Sequence, residues 1–169
     1  MKSNFLFFFV LAAFTSFAQQ YKLADGFKIS FTNADVSGTF DVLTTPSLVF
    51  DETKLASSKL SFKIEVASIN TGNGLQNKHA RGEEWFNAEK YPYIEFTSSK
   101  IEKTAEGFKA TGKLQMHGVS KEVSIPFTFS KKGNKGTFIA KFSVERTDYQ
   151  VGKKNGGVAE TIKITATIP

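Results

Sequence analysis

The chain has 169 residues, of which 40% are hydrophobic, and its formal net charge is +6 at neutral pH. It contains no cysteine, which excludes a disulfide framework, a cysteine-ligated metal site and a cysteine nucleophile. The lysines fall singly along the chain and form no basic tail, a pattern typical of a solvated surface rather than of a nucleic-acid-binding protein.

The first 18 residues predict a secretory signal peptide. Lys2 precedes an apolar run from Phe5 to Ala13, and Ser16-Phe17-Ala18 places small residues where signal peptidase reads them. Cleavage is therefore expected after Ala18. The run is shorter than the ~20 apolar residues that a membrane-spanning helix needs, so it is not interpreted as a membrane span. No span is predicted in the mature chain. Residues 19–169 are expected to form one domain in the periplasm or outside the cell.

Apolar residues at every second position predict about eight half-buried β-strands in the mature chain. Turn sequences rich in glycine separate the later strands. This spacing is typical of an antiparallel barrel or sandwich. The predicted strand runs are Phe27–Phe31, Val36–Leu43 with a bend at Gly38, Leu60–Val66, Ile94–Ile101, Phe108–Met116, Val123–Phe129, Phe138–Val144 and Ile162–Ile168.

A polar and aromatic segment, Leu75–Phe96, interrupts the alternation. It predicts a short helix over Leu75–Arg81 that ends at Gly82, followed by a turn capped by Asn87. Inserted segments on a rigid β scaffold often carry binding residues, so this insert is the first place to look for a site. The aromatic pair Trp85-Phe86 is expected to anchor the insert to the core and can also gate a barrel opening.

The residues that could carry catalysis or bind a metal do not form a recognisable set. His79 and Glu83 are four residues apart and can share a helix face, but a metal site needs at least a third ligand and His117 is distant in sequence. The chain has no nucleophile elbow, and the adjacent Glu83 and Glu84 point in different directions on a helix. The sequence therefore predicts no metal, no cofactor and no catalytic residue.

Four segments, taken in order, resemble the YceI-like family of exported bacterial proteins that bind polyisoprenoids or other lipids. Their shared features are a Gly-x-Phe hairpin, a Ser-Ile-Asn-Thr-Gly turn before the insert, a Tyr-Pro-x-Ile-x-Phe strand, a Gly-Val-Ser-Lys hairpin and an Arg-x-Asp-aromatic stretch. The resemblance extends from about Phe27 to Ile168. The four segments are Val36–Asp51, Val66–Glu102, Lys113–Phe127 and Phe142–Gly152.

The resemblance implies an all-β fold: an extended, lipocalin-like, eight-stranded antiparallel β-barrel with a short helical insert near its opening. It also implies an apolar interior that holds a polyisoprenoid or fatty amphiphile. Periodicity alone does not distinguish a hollow barrel from a filled one. The expected inner face mixes large rings with small residues, which fits either a tapering channel or a well-packed core; the small residues are Ala110, Gly112, Ala140 and Ala166.

Three functions are open on these grounds. The favoured one is non-catalytic binding, sequestration or transport of an isoprenoid or fatty lipid; the others are an enzyme acting on a lipid or its head group, and a structural envelope module with a filled core. Whether the chain forms a homodimer is also open. The expected ligand-binding residues are Phe62, Ile64, Phe96, Leu114, Met116, Phe127, Phe142 and Ile164.

Six further residues are expected at the mouth of the barrel. Three of them are charged and can form an ion network that pins the insert to the seventh strand, or can contact a lipid head group. The mouth candidates are His79, Arg81, Trp85, Phe86, Arg146 and Asp148.

Overall fold

The structure is a computed structural model that describes residues 19–169, so the predicted signal peptide lies outside the described residues. It contains one α-helix and three short 3-10 turns among eleven strand segments. The helix is α1 (Gly74–Arg81), and the 3-10 turns are Leu55–Ser57, Val66–Ser68 and Arg146–Tyr149. The strands are β1 (Gln19–Gln20), β2 (Lys28–Thr32), β3 (Ser37–Phe40), β4 (Leu43–Phe50), β5 (Lys59–Glu65), β6 (Ile69–Asn70), β7 (Tyr93–Thr104), β8 (Gly107–Met116), β9 (Val119–Lys132), β10 (Lys135–Glu145) and β11 (Thr161–Ile168).

The strands form one curled antiparallel sheet, in the order β1-β4-β5-β7-β8-β9-β10-β11-β2-β3-β6. The sheet closes on itself through two bent strands. β3 continues into β4 after two residues, and β5 continues into β6 after the turn at Val66–Ser68. β3 pairs with β6 and β4 pairs with β5. Backbone bonds from Asp41 to Ser68 and from Glu65 to Val42 continue the pairing across the bend. With β3 and β4 counted as one strand, β5 and β6 as another, and the two-residue β1 left out, eight long strands form a barrel, which confirms the predicted fold class although the number of separate strands is larger than predicted.

The bend in the second long strand lies later than expected. The sequence suggested one strand over Val36–Leu43 with a bend at Gly38, whereas β3 ends at Phe40 and Leu43 already begins β4. β4 was not among the predicted runs, because Thr-Thr-Pro-Ser interrupts its apolar alternation. Pro46 cannot donate a ladder hydrogen bond, and the register between β4 and β5 shifts around it, between Thr44 and Ser47.

One half of the barrel is filled by aromatic rings. Phe50 is 1% exposed and lies at the centre, with four phenylalanine ring centroids 4.8 to 5.6 Å from its own. Most of these pairs meet edge to face, the geometry that the ring quadrupole favours. We call this group the aromatic plug; its members are Tyr21, Phe50, Phe108, Phe127, Phe129 and Phe138.

The small inner-face residues lie between this plug and the other half of the barrel. On β10, Ala140 separates Phe138 of the plug from Phe142, and on β8, Ala110 and Gly112 separate Phe108 from Leu114. In the part of the chain that the structure describes, no helix is long and apolar enough to cross a membrane.

Candidate functional site

A cavity of about 350 Å³ occupies the half of the barrel opposite the aromatic plug. This volume lies within the range of small-molecule binding sites. The barrel is therefore filled in one half and hollow in the other. The apolar walls come from eight of the labelled strands and comprise Ile29, Phe31, Phe40, Ile64, Ile69, Ile94, Leu114, Met116, Phe142, Val144, Ile162 and Ile164.

The rim of the cavity is polar and reaches the surface. Gln76 and His79 of α1 line it on one side, and Asp35 of the β2–β3 turn lines it on another, and all three are exposed. The cavity therefore opens between α1 and the β2–β3 turn. An apolar interior behind a polar rim matches the shape of an amphiphile, with its tail inside and its head at the surface.

The helix at this rim begins with a side-chain cap and has no buried residue. The amide oxygen of Asn73 accepts hydrogen bonds from the backbone N–H groups of Leu75 and Gln76 at 2.9 and 3.1 Å. The side-chain oxygen of Asn77 also accepts from both the N–H and the hydroxyl of Thr71, at 2.8 Å each, which ties the helix to the residue that follows β6. The predicted helix is confirmed, with its start one residue earlier than expected.

The segment that follows α1 folds across the cavity. Trp85 and Phe86 both line it, and the N–H of Phe86 donates to the carbonyl of Ala80 at 3.0 Å. The Phe86 ring also meets the Phe40 ring edge to face, with centroids 6.1 Å apart. These contacts fix the aromatic pair as part of the cavity wall.

Arg146 is 4% exposed and lines the cavity beside Trp85. Burying a guanidinium is costly unless its N–H groups are hydrogen-bonded, and here they donate to backbone carbonyls. Its charge also lies over the Trp85 ring, 5.1 Å from the centroid. The four bonds join the 3-10 turn at Arg146–Tyr149 to the loop before β11; the acceptors are Val151 at 2.7 Å, Val158 at 2.6 Å, Lys153 at 3.0 Å and Ala159 at 3.2 Å.

Gly152 makes this arrangement sterically feasible. Its φ is +65°, a conformation that favours glycine. A Cβ added there would lie 2.8 Å from Nη1 of Arg146 and 2.9 Å from Cζ3 of Trp85. Gly152 thus allows the guanidinium and the indole to approach the loop closely.

The ion network suggested for the charged mouth residues does not form. Arg81 is exposed and donates to the backbone carbonyl of Ala67 at 3.2 Å. Asp148 pairs with Lys121 at 2.9 Å. Neither residue lines the cavity, whereas Arg146, His79, Trp85 and Phe86 do. The physical reason is that backbone carbonyls, not carboxylates, satisfy the guanidinium of Arg146.

Five of the eight residues expected to bind the ligand line the cavity: Ile64, Leu114, Met116, Phe142 and Ile164. The other three lie outside it, one alternation step beyond the lining residues. Phe62 precedes Ile64 by two residues on β5, and Phe96 follows Ile94 by two residues on β7. Phe127 belongs to the plug and pairs with Ala140, two residues before Phe142 on β10. Ile29, Phe31 and Ile162 also line the cavity but were not among the expected ligand-binding residues. Alternation predicts which face of the sheet a side chain occupies, but not whether the barrel is hollow at that point along the strand.

The groups considered for catalysis are not brought together. His79 and Glu83 are exposed, the acceptors of Arg146 are backbone carbonyls, and Asp148 pairs with a lysine at the surface. Within residues 19–169, no three His, Asp or Glu side chains lie close enough to hold a metal ion. The arrangement is chemically suited to holding an apolar chain.

Comparisons with known proteins agree with this geometry. A UPF0312 protein of Yersinia enterocolitica is 27% identical over 128 residues, which span 72% of this chain and 67% of that protein. The crystal structure of BcnA from Burkholderia cenocepacia matches with a TM-score of 0.77 and 29% identity, over 84% of this chain and 94% of BcnA.

A third match, at 14% identity, shows the shared fold alone. It is a domain of Saccharophagus degradans described as polyisoprenoid-binding and implicated in plant cell wall breakdown, with a TM-score of 0.63 over 84% of this chain and 90% of that domain. The YceI-like domain matches residues 17–169, which include every strand described above. The chain therefore belongs to the YceI-like family.

Proposed function

We propose that this protein binds the apolar chain of an isoprenoid or fatty lipid in the cavity, and sequesters or carries it without chemical change. The observation that carries the proposal is the cavity of about 350 Å³, with its apolar wall and its polar rim. Burying each methylene group of a ligand contributes about 0.8 kcal/mol, so a chain that fills the cavity can bind without an ionic contact.

The comparisons support this ligand class. The Saccharophagus domain that shares this fold is described as polyisoprenoid-binding, and this chain belongs to the YceI-like family. Both the relationship and the apolar wall favour a lipid over a polar metabolite.

A non-catalytic role is supported by the separation of the reactive side chains. His79 and Glu83 are exposed, and Asp148 lies outside the cavity in an ion pair with Lys121. General acid–base catalysis needs such groups within hydrogen-bond reach of one substrate atom. If the protein were an enzyme that uses His79, His79→Ala would abolish turnover of the bound lipid; we expect no turnover by either protein.

We also propose that the protein is exported to the periplasm or beyond. The support is the basic start, the apolar run and the small residues before Gln19, together with a family match that begins at residue 17. Mass spectrometry of the exported protein should give an N-terminus at Gln19.

Trp85 provides a direct test of binding, because it is the only tryptophan and lines the cavity. Titration with farnesol or dodecanoic acid should shift its emission in a saturable way. Ile164→Phe adds three carbon atoms inside the cavity and should weaken binding at least about tenfold, since they displace buried ligand atoms. Ile139→Phe adds the same bulk at an exposed position of β10 and should bind like the parent. The absence of a saturable shift with every isoprenoid and fatty probe would refute the proposed function.

A further inference from the structure

We propose that the floor of the cavity limits the buried part of the ligand to a chain of about a dozen carbon atoms. This inference rests on the proposed function, because it assigns a chain length to the ligand of that same cavity. A chain longer than this limit leaves its excess outside the rim.

The floor is the layer of side chains one alternation step below the lining residues. On β5 and β7 it is formed by the rings of Phe62 and Phe96, which are paired with each other. On β10 and β11 it is formed by Ala140 and Ala166, which are also paired. Phe127 pairs with Ala140 and completes this layer from β9. The layer thus combines large rings with small residues, a combination that commonly fills the interior of small barrels.

Behind the floor, aromatic rings fill the barrel. Phe127 belongs to both the floor and the aromatic plug, and its ring lies 5.4 Å from that of Phe108 and 5.6 Å from that of Phe50, centroid to centroid. Phe108, Phe127 and Phe138 are each 4 to 6% exposed. A chain could enter this half only by displacing packed rings, and cores resist such displacement.

The cavity volume sets the length. A water-sized group, comparable with one methylene, takes about 30 Å³ in a liquid, so about 350 Å³ corresponds to about a dozen carbon atoms. Within that limit each added carbon buries further apolar surface and should raise affinity about fourfold. Beyond it, added carbons remain in water, so affinity should stop rising.

The test measures the affinity of the mature protein for saturated fatty acids whose length is stepped from about 8 to about 20 carbons, using Trp85 emission and native mass spectrometry. We expect affinity to rise up to about 12 carbons and then to level off. A rise that continues steadily to the longest acid would overturn the length limit but leave the proposed function intact. Failure of all acids, and of farnesol, to bind would refute the proposed function itself.

Substitutions in the floor should change the chain length at which affinity stops rising, which we call the break, and they should change it in opposite directions. Phe127→Ala opens the floor and should shift it to longer acids by about three or four carbons, whereas Ala140→Leu should shift it to shorter ones. Phe129→Ala removes a ring of the plug that is farther from the cavity, and should lower stability without moving the break. A break that stays in place in both floor variants, each confirmed as folded by circular dichroism, would overturn the assignment of the limit to the floor.

Discussion

Single residues beside the cavity are held by polar contacts with the backbone. Arg146 donates four hydrogen bonds to backbone carbonyls while it is almost completely buried. A buried cation of this kind stabilises the fold only as long as its bonds are complete, and its removal leaves several acceptors without donors. The guanidinium is thus better explained as a clamp on the loop before β11 than as a head-group ligand.

Arg146→Met should therefore lower the free energy of unfolding by about 3 kcal/mol, since the buried carbonyl of Val151 and three carbonyls in partly buried hydrogen bonds lose their donor. The matched control is Arg81→Met, which removes an exposed guanidinium with one bond to Ala67 and should change stability by less than about 0.5 kcal/mol. Urea denaturation monitored by circular dichroism measures both. Equal effects of the two substitutions would contradict the clamp.

A comparison of Gly152→Ala with Gly133→Ala separates the cost of backbone strain from the cost of steric overlap. Both glycines have a positive φ, +65° and +61°, but a Cβ at Gly133 would have open space while one at Gly152 would overlap Arg146 and Trp85. Each substitution should cost about 1 kcal/mol of strain, and Gly152→Ala should cost about 1 to 3 kcal/mol more. Only Gly152→Ala should also shift Trp85 emission; a shift in neither variant would argue against the close approach.

Tyr149 gives a pH dependence whose sign follows from its burial. Its side chain is 2% exposed, and burial, with a smaller contribution from the charge of Asp148, raises the pKa of the phenol above 10.0. The unfolded chain then loses this proton at a lower pH than the folded protein does. The resulting stability is fully present below the unfolded pKa and is lost as pH rises through the folded pKa.

The free energy of unfolding should accordingly fall more steeply from about pH 9 to about pH 11 in the parent protein than in Tyr149→Phe, which has no phenol to ionise. Urea titrations at each pH provide the comparison. Parallel pH profiles for the two proteins would show that Tyr149 ionises equally in the folded and unfolded states.

At the scale of elements, α1 depends on its caps, since none of its residues is buried. Asn73→Ala should cost about 1 kcal/mol and fray the first turn, which contains the rim residue Gln76. Asn73→Asp keeps an acceptor at the helix N-terminus and should leave stability within a few tenths of a kcal/mol. Amide hydrogen exchange in α1 measures fraying, and protection that is unchanged in Asn73→Ala would contradict the cap.

Elements were predictable from the sequence wherever local chemistry determines them. The alternation of β8 and β11 and the hairpin at His117-Gly118, where both residues have a positive φ, follow from rules that act over a few residues. The helix ends at Gly82 as expected, but Gly82 has an extended backbone (φ −70°) rather than the left-handed one that a glycine cap usually has. β4 was missed because Pro46 and its register shift break the alternation. The hydrogen-bond partners of Arg146 could not be predicted, because every residue has a backbone carbonyl and residue types do not indicate which carbonyls accept.

At the scale of the whole molecule, the barrel divides its interior between stability and binding. The aromatic plug gives one half a dense core, while the other half retains a cavity that a packed core would not contain. The alternation in the sequence predicts that the apolar residues of both halves point into the barrel. It does not predict where the densely packed half ends and the cavity begins. That boundary depends on how large rings on β5 and β7 meet small residues on β10 and β11 across the barrel.

The most direct test of this division is the crystal structure of the mature protein with a fatty acid of about 12 carbons that carries bromine on its last carbon. Anomalous scattering locates the bromine without reference to the weak density of a flexible chain. We predict one bromine peak inside the barrel, within contact distance of Phe142 and Ile164 and above Phe127. A peak outside the cavity, or among the rings of the aromatic plug, would contradict the account.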